Sequence, residues 1–349
     1  MARDPVLSVL DLSPVPSGTP ASQALRDTVA LARVAEAEGY RRFWLAEHHN
    51  IPSVTSSSPE VMIAAVGAAT STIRVGAGGI MLPNHAPLKV AETFRALAGL
   101  YPDRVDLGIG RAPGTDPRTA IALRRSHEAL TADDFPEQYS ELVGYVDGFS
   151  ADHPFAGIVA QPEDVPLPPV WILGSSYYGA QAAAAFGTGF AYAGHFGGAD
   201  PAEAVRIYRQ GFRPRTAAGS QEPHAILAAA AITSEDPERA EALAAANALS
   251  MARLRTGAPT PLPSAEEAAA HDWSAAERRV AAAMRDRVSI GTPDAVVADL
   301  RRRADEADVD EVMITTAIHD PAERQQALRL LARAWAGSQG SVTPALAEV

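Results

Sequence analysis

Short apolar runs alternate with stretches in which apolar residues recur every three or four positions, and the alternation persists from residue 6 to residue 335. The runs at 6–12 (VLSVLDL), 42–46 (RFWLA), 73–81, 104–109 (RVDLGI), 170–173 (VWIL), 189–193, 224–232 and 310–316 predict buried strands. Between and after them, 21–38, 58–70, 86–100, 117–130, 136–149, 174–186, 201–212, 237–255, 293–307 and 321–335 predict helices, several opened by proline or closed by glycine. About eight strands of nearly continuous apolar character, separated by helices, predict an α/β fold of the parallel (β/α)8 TIM-barrel type. The rival is a doubly wound open sheet. Its first βα turn would carry a Gly-x-Gly-x-x-Gly phosphate loop, and the turn here, SPVPSGTP, does not.

No internal repeat or composition break divides the chain, so residues 1–336 are expected to form a single barrel domain, with 337–349 a frayed tail. Two segments exceed a minimal barrel. Residues 149–169 form a Pro- and Gly-containing excursion. Residues 256–273 (TGAPTPLPSAEEAAAHDW) are Pro-rich and lie between two helices, which suggests a mobile lid or, alternatively, a plain linker.

Composition narrows the function. The net charge of −12 and pI of about 5.2 come without any basic stripe, and Lys89 is the sole lysine, which argues against a nucleic-acid partner. The absence of cysteine excludes disulfides, zinc–thiolate sites, iron–sulfur clusters and thiol nucleophiles. No metal-binding spacing is present. No apolar stretch approaches the ~20 residues needed to span a bilayer, and no signal peptide opens the chain, so a cytoplasmic location is expected.

The candidate chemistry lies where barrel strands end. Residues 75–87 (VGAGGIMLPNHAP) begin as a β-branched strand, lose side chains at Gly76, Gly78 and Gly79, and finish in a polar turn containing Asn84 and His85. Consecutive strand glycines mark either a bulge with tight packing or a flat ligand resting on the backbone. In Glu47-His48-His49, neighbouring side chains point to opposite faces, so one imidazole can face the mouth while the other turns into the wall; a purely structural histidine is the alternative. Gly174-Ser175-Ser176 opens a helix, which is either an ordinary serine cap or an anion site made of unpaired N–H groups and hydroxyls. Arg111, in the Gly-Arg-Ala-Pro-Gly loop, can reach the same mouth and pair with a phosphate, or it can be a surface arginine. His195-Phe196, followed by Gly197 and Gly198, offers an imidazole and an aromatic ring to the mouth, unless the loop contacts no ligand at all.

Taken in order, LDLSP, WLAEHHN, RVGAGGIMLPNHAP with Glu92 in the following helix, LGIGRAPG, WILGSSYYGA, FAYAGHF and IGTP resemble the bacterial luciferase-like flavin monooxygenases, notably a single-chain actinomycete branch found with antibiotic and polyketide pathways. The resemblance implies a barrel that binds reduced FMN at its C-terminal mouth. It further implies a non-prolyl cis peptide near Gly78-Gly79 beneath the flavin, His48 at the reactive edge, and phosphate contacts from Arg111, Ser175 and Ser176. Gly174 and Asn84 are expected beside the cofactor, and His195 and Phe196 beside the substrate. Where many relatives carry Glu-Ser, this chain has Ser175-Ser176. The resemblance also implies a mobile loop at 256–273, a homodimer formed by helices around the second and third strands, and a separate NAD(P)H:flavin reductase. The implied reaction adds O2 to FMNH2 to give a flavin C4a-hydroperoxide, which oxygenates a small organic substrate. The alternatives are a flavin- or F420-dependent dehydrogenase and a non-catalytic flavin-binding protein.

Overall fold

A computed structural model describes residues 4–126, 134–215 and 219–338. Eight parallel strands close on themselves: β1 (Val6–Asp11), β2 (Arg42–Leu45), β3 (Arg74–Met81), β4 (Val105–Gly110), β5 (Val170–Gly174), β6 (Gly189–Ala193), β7 (Ala225–Thr233) and β9 (Glu311–Thr315), with β9 returning to β1. A ninth strand, β8 (Val288–Gly291), was not anticipated. It exists because β7 outruns its neighbours: β9 pairs with Ile226–Ala230, and β8 takes the overhang from Ala230 to Thr233.

The surrounding helices are α1 (Ala21–Ala37), α2 (Pro59–Ala69), α3 (Pro87–Leu100), α4 (Pro117–Arg124), α5 (Phe135–Asp147), α6 (Tyr177–Phe186), α7 (Pro201–Gly211), α8 (Pro237–Arg255), α9 (Ala265–Ala270), α10 (Ala275–Arg285), α11 (Pro293–Ala307) and α12 (Pro321–Ser338). Proline in the first turn opens many of them, where its missing N–H costs nothing. The helix expected over 117–130 is seen as far as Arg124. Residues 127–130 lie outside the described residues, as does most of the tail, 339–349, and α12 continues to Ser338.

Strand alternation sorts the side chains into two cores. Val9, Phe43, Leu45, Val75, Leu107, Phe190 and Ile314 face outward onto the helices. Leu10, Trp44, Trp171, Ala191, Ile226 and Met313 face inward and pack as a plug across the barrel. Beneath the plug lies a charged layer. The Arg42 guanidinium reaches Asp106 at 2.7 Å and Glu311 at 3.0 Å, and Arg74 reaches Asp106 at 2.6 Å. Trp44 Nε1 donates to Asp106 at 3.1 Å, tying the plug to the layer. Burial alone would raise the Asp106 carboxyl, but the Arg42 and Arg74 charges outweigh it and hold it below its ordinary value. Breaking one partner of such a buried set costs several kcal/mol, on the order of 3–5.

The two extra segments are packed. Arg95, buried in α3, donates to the carbonyls of Ala160, Glu163 and Val165, which fixes the 149–169 excursion. In 256–273, Leu262 is buried; its N–H donates to Val15 O and its carbonyl accepts from Ser17 N–H, each at 2.8 Å. A reciprocal Ser264–Glu267 capping box opens α9. Among the described residues no helix is long and apolar enough to cross a membrane.

Candidate functional site

Above the bulky plug the inward positions become small: Ala46 beyond β2, Gly78 on β3, Gly110 on β4, Gly174 on β5, Ala193 on β6 and Ala228 on β7. Large side chains below and small ones above leave a cavity of about 250 Å³ at the C-terminal mouth, floored by Leu10, Trp44 and Met313. Such a concave, mainly apolar mouth with a few polar groups is the usual form of a cofactor site. The cavity brings together His48, Gly78, Arg111, Gly174, Ser175, Ser176, His195 and Phe196.

The three glycines of β3 do different work. A Cβ on Gly76 would lie 2.7 Å from the Asp106 carbonyl and 2.8 Å from Trp44 Nε1, so this glycine makes room for the charged layer and the plug. A Cβ on Gly79 would lie 2.8 Å from the Gly108 main chain, and one on Gly108 would lie 2.1 Å from the Ala77 carbonyl. Those two glycines let β3 and β4 approach where their register shifts, between Ala77 and Ile80. Only Gly78 lines the cavity, beside Leu10 and Trp44. The Gly78-Gly79 peptide is cis.

Two strands round the barrel from β3, at the end of β5, Ser176 occupies the N-cap position of α6 but makes no side-chain capping bond. Its hydroxyl therefore does not serve the ordinary cap, and the helix start, whose first N–H groups have no carbonyl within the helix to pair with, opens at the cavity. The Arg111 guanidinium lies 4.3 Å over the Tyr178 ring, which places a cation beside the two serines. Tyr178 and Phe135 complete this end of the wall.

His48 and His195 stand on the remaining side. Burial depresses the His48 imidazole to about 4, against the pull of the Glu47 carboxylate, and burial likewise depresses His195 to about 4. Both rings are neutral at pH 7. Among the described residues, His48 Nδ1 and both ring nitrogens of His195 have no hydrogen-bond partner. Phe196 packs 4.2 Å from the His195 ring and 6.3 Å from that of His48. Its loop is clamped by Arg287, which donates to the Phe196 carbonyl at 2.8 Å.

Behind this wall sits a carboxylate to which the sequence reading assigned no role. Glu47, fully buried, accepts from His49 Nε2 at 2.9 Å, His85 Nε2 at 3.0 Å and the Met81 N–H at 2.9 Å. Burial would raise it, but the bonds from the two histidines bring it down to about 2. His49 thus turns into the wall while His48 faces the mouth. Asn84 and Gly79 are absent from the cavity lining. Asn84 sits in a 3-10 turn (Leu82–Asn84) that swings the chain away; its side chain donates to the Pro113 carbonyl at 3.1 Å and accepts from Arg124 at 3.0 Å. Among the described residues no group of His, Asp and Glu is placed to hold a metal ion.

Comparison with known proteins identifies the family. The family model described as luciferase-like monooxygenase matches residues 7–311. A luciferase-like monooxygenase of Escherichia coli (strain K12) is 39% identical over 323 residues, covering 93% of this chain and 95% of its own. The N-acetyl-S-alkylcysteine monooxygenase of Bacillus subtilis (strain 168) is 32% identical over 329 residues, covering 94% of this chain and 97% of its own. The crystal structure of apo-MsnO8 superposes with a TM-score of 0.82 at 34% identity, over 95% of this chain and 98% of that one. The chain belongs to the luciferase-like monooxygenase family.

Proposed function

We propose that the protein is a two-component monooxygenase that takes reduced FMN from a separate NAD(P)H:flavin reductase and uses O2 to oxygenate a small organic substrate. One observation carries this reading: a single cavity has neutral His48 and the bare Gly78 backbone at β2 and β3, and Arg111, Ser175 and Ser176 at the ends of the next two strands, β4 and β5. The first pair suits a planar ring. The second suits a phosphate, held by a guanidinium, two hydroxyls and a helix N-terminus. Bound reduced flavin would supply the O2-activating chemistry. The chain's own part is to orient it, exclude water with the plug and the Phe196 wall, and present a hydrogen bond from the neutral His48 imidazole.

Fold neighbours frame the rival. The oxygenating constituent of 3,6-diketocamphane monooxygenase, solved with FMN, has a TM-score of 0.69 at 15% identity, and an F420-dependent secondary alcohol dehydrogenase has 0.63 at 14%. Both share the fold alone. Anaerobic titration with reduced FMN and with reduced F420, followed by admission of air, separates the readings. Preference for reduced FMN, and reoxidation of the bound flavin more slowly than free FMN, supports the monooxygenase; preference for F420 overturns it. His48→Ala is expected to retain FMN affinity but lose oxygenation by roughly 100-fold or more, whereas unchanged turnover would remove His48 from the mechanism.

Further parts of the proposal concern assembly and setting. Val61 on α2 and Leu100 on α3 are 63% and 67% exposed, which supports a homodimer through these helices. Residues 256–273 would act as a lid over the mouth, anchored where Leu262 meets Val15. A cytoplasmic location and a role in secondary metabolism complete the reading. For the latter, a 4-hydroxyprotoasukamycin monooxygenase of Streptomyces nodosus subsp. asukaensis is 36% identical over 137 residues, 35% of this chain.

A further inference from the structure

A second cavity, of about 110 Å³, opens on the far side of the His195–Phe196 wall. Leu12, His195 and Phe196 line both cavities, so the two are separated by little more than these side chains. Its walls come from the upper ends of β7 and β9, from α8 and from Leu262 of the 256–273 segment, and they are mainly apolar: Ile232, Met251, Leu262, Met284 and Val288.

Ser53, Asn247, Ser250 and Thr315 also line it, but among the described residues the lining atoms that are buried without a hydrogen-bond partner are Thr316 Oγ1 and the His195 ring nitrogens, and His195 is shared with the first cavity. Thr316, 2% exposed, lines the cavity, and among the described residues its Oγ1 has no hydrogen-bond partner. A buried hydroxyl left unpaired is costly, because it has given up its water without gaining a partner. Such an atom lining a mainly apolar space marks a place for a complementary group. The charges around it are already matched. Arg324 and His195 are the ionisable residues of the lining; Arg324 donates to the Thr316 carbonyl at 2.8 Å and to the buried Asp11 carboxylate at 2.6 Å, and His195 is neutral. A carboxylate entering here would lose its water without gaining a free counter-charge. For scale, an apolar cavity of ~150 Å³ holds benzene; this one is smaller, at about 110 Å³, but shares its Leu12, His195 and Phe196 wall with the first cavity, so a short alkyl chain or one small ring reaching that wall is the largest occupant it suits.

We propose that this second cavity is the organic-substrate compartment and that it takes a small, uncharged, mainly apolar molecule whose one hydrogen-bonding oxygen meets Thr316 Oγ1. The substrate role rests on the monooxygenase reading above; the binding preference does not. The assignment sets this chain apart from its N-acetyl-S-alkylcysteine relative, whose named substrate carries a carboxylate.

The test uses flavin-free full-length protein and ligand-observed NMR with cyclohexanone and cyclohexanecarboxylate, which present the same ring with and without charge. Cyclohexanone is expected to bind at least tenfold more tightly. Thr316→Val should weaken it threefold or more, and Met251→Trp, which fills the space, should weaken it at least tenfold while FMN affinity stays within twofold. A smaller preference between the two probes, or Met251→Trp protein that binds cyclohexanone as before, overturns the proposal. If reduced FMN binds and cyclohexanone does not, this inference fails alone; if cyclohexanone binds and reduced FMN does not, the flavin reading fails alone.

Discussion

Glu47 Oε1 lies 3.0 Å from His85 Nε2, joining the end of β2 to the turn after β3. The same carboxylate accepts the Met81 N–H and His49 Nε2, so it fixes the segment that carries His48 against the strand that carries Gly78. Its position explains why His48 alone of the adjacent pair faces the mouth. Glu47→Gln keeps the shape and removes the charge. Hydrogen bonds to charged groups contribute about 1.5–3 kcal/mol each, so the variant is expected to lose at least about 2 kcal/mol by urea denaturation. The His85 pKa, now raised by the Glu47 bond against the effect of burial, should fall in an NMR titration. A His85 titration unchanged by the substitution would show that the pair does not hold the wall.

The glycines of β3 are expected to separate stability from binding. In Gly79→Ala the new methyl meets main-chain atoms of Gly108, which cannot step aside. In Gly78→Ala it meets the Cδ1 of Leu10 at 2.6 Å, the movable end of a side chain. Overpacking costs typically about 1–3 kcal/mol, so Gly79→Ala should have the lower melting temperature. Gly78→Ala should show the greater loss of FMN affinity per degree of melting temperature lost. The opposite order in both measurements would mean that the cavity does not use the Gly78 face.

Acid should unfold the protein earlier than its carboxylates alone dictate. His48 and His195 stay neutral in the fold down to about 4, whereas in the unfolded chain they take up protons from the ordinary value of 6.5. Their contribution is complete above 6.5 and is lost as pH falls from 6.5 to 4, by up to about 3 kcal/mol per ring. Glu47, held at about 2 against an ordinary 4.5, adds a further loss below 4.5. His85 acts in the opposite sense: its raised pKa adds stability below 6.5 that fades as pH rises through the folded value. Urea midpoints should therefore drop between pH 7 and 4.5, and the drop should shrink in the His48→Ala/His195→Ala double variant. An equal drop in that variant would assign the acid sensitivity elsewhere.

Much of the fold was legible because each barrel strand is buried on both faces and reads as an apolar run, as in Val170–Leu173. β8 escaped notice because Val288–Gly291 is short and only covers the overhang of β7. Within the site, the strand-end motifs around His48, Arg111, Ser175 and His195 were readable, since chemistry collects at the C-terminal mouth of such barrels. The duties of individual glycines were not, because a glycine facing a ligand and one facing a neighbouring strand look alike in sequence; Gly78 and Gly79 differ only in which way the backbone turns. The role of Glu47 was hidden because, besides His49 two residues on, its partners Met81, Asn84 and His85 come from a segment more than thirty residues away. The sequence did carry one unused signal: Arg42, Asp106 and Glu311 are charges inside apolar strand runs, which is where a buried ion network must lie.

The account turns on one cavity holding a flavin ring at Gly78 and its phosphate at Arg111. The most direct test compares the affinities of reduced FMN and reduced riboflavin, which differ only in that phosphate, for the wild-type protein and for Arg111→Ala. The account predicts at least a tenfold preference for FMN in the wild type and its near-complete loss in the variant. Equal affinities in the wild type, or a preference that survives the substitution, would contradict it.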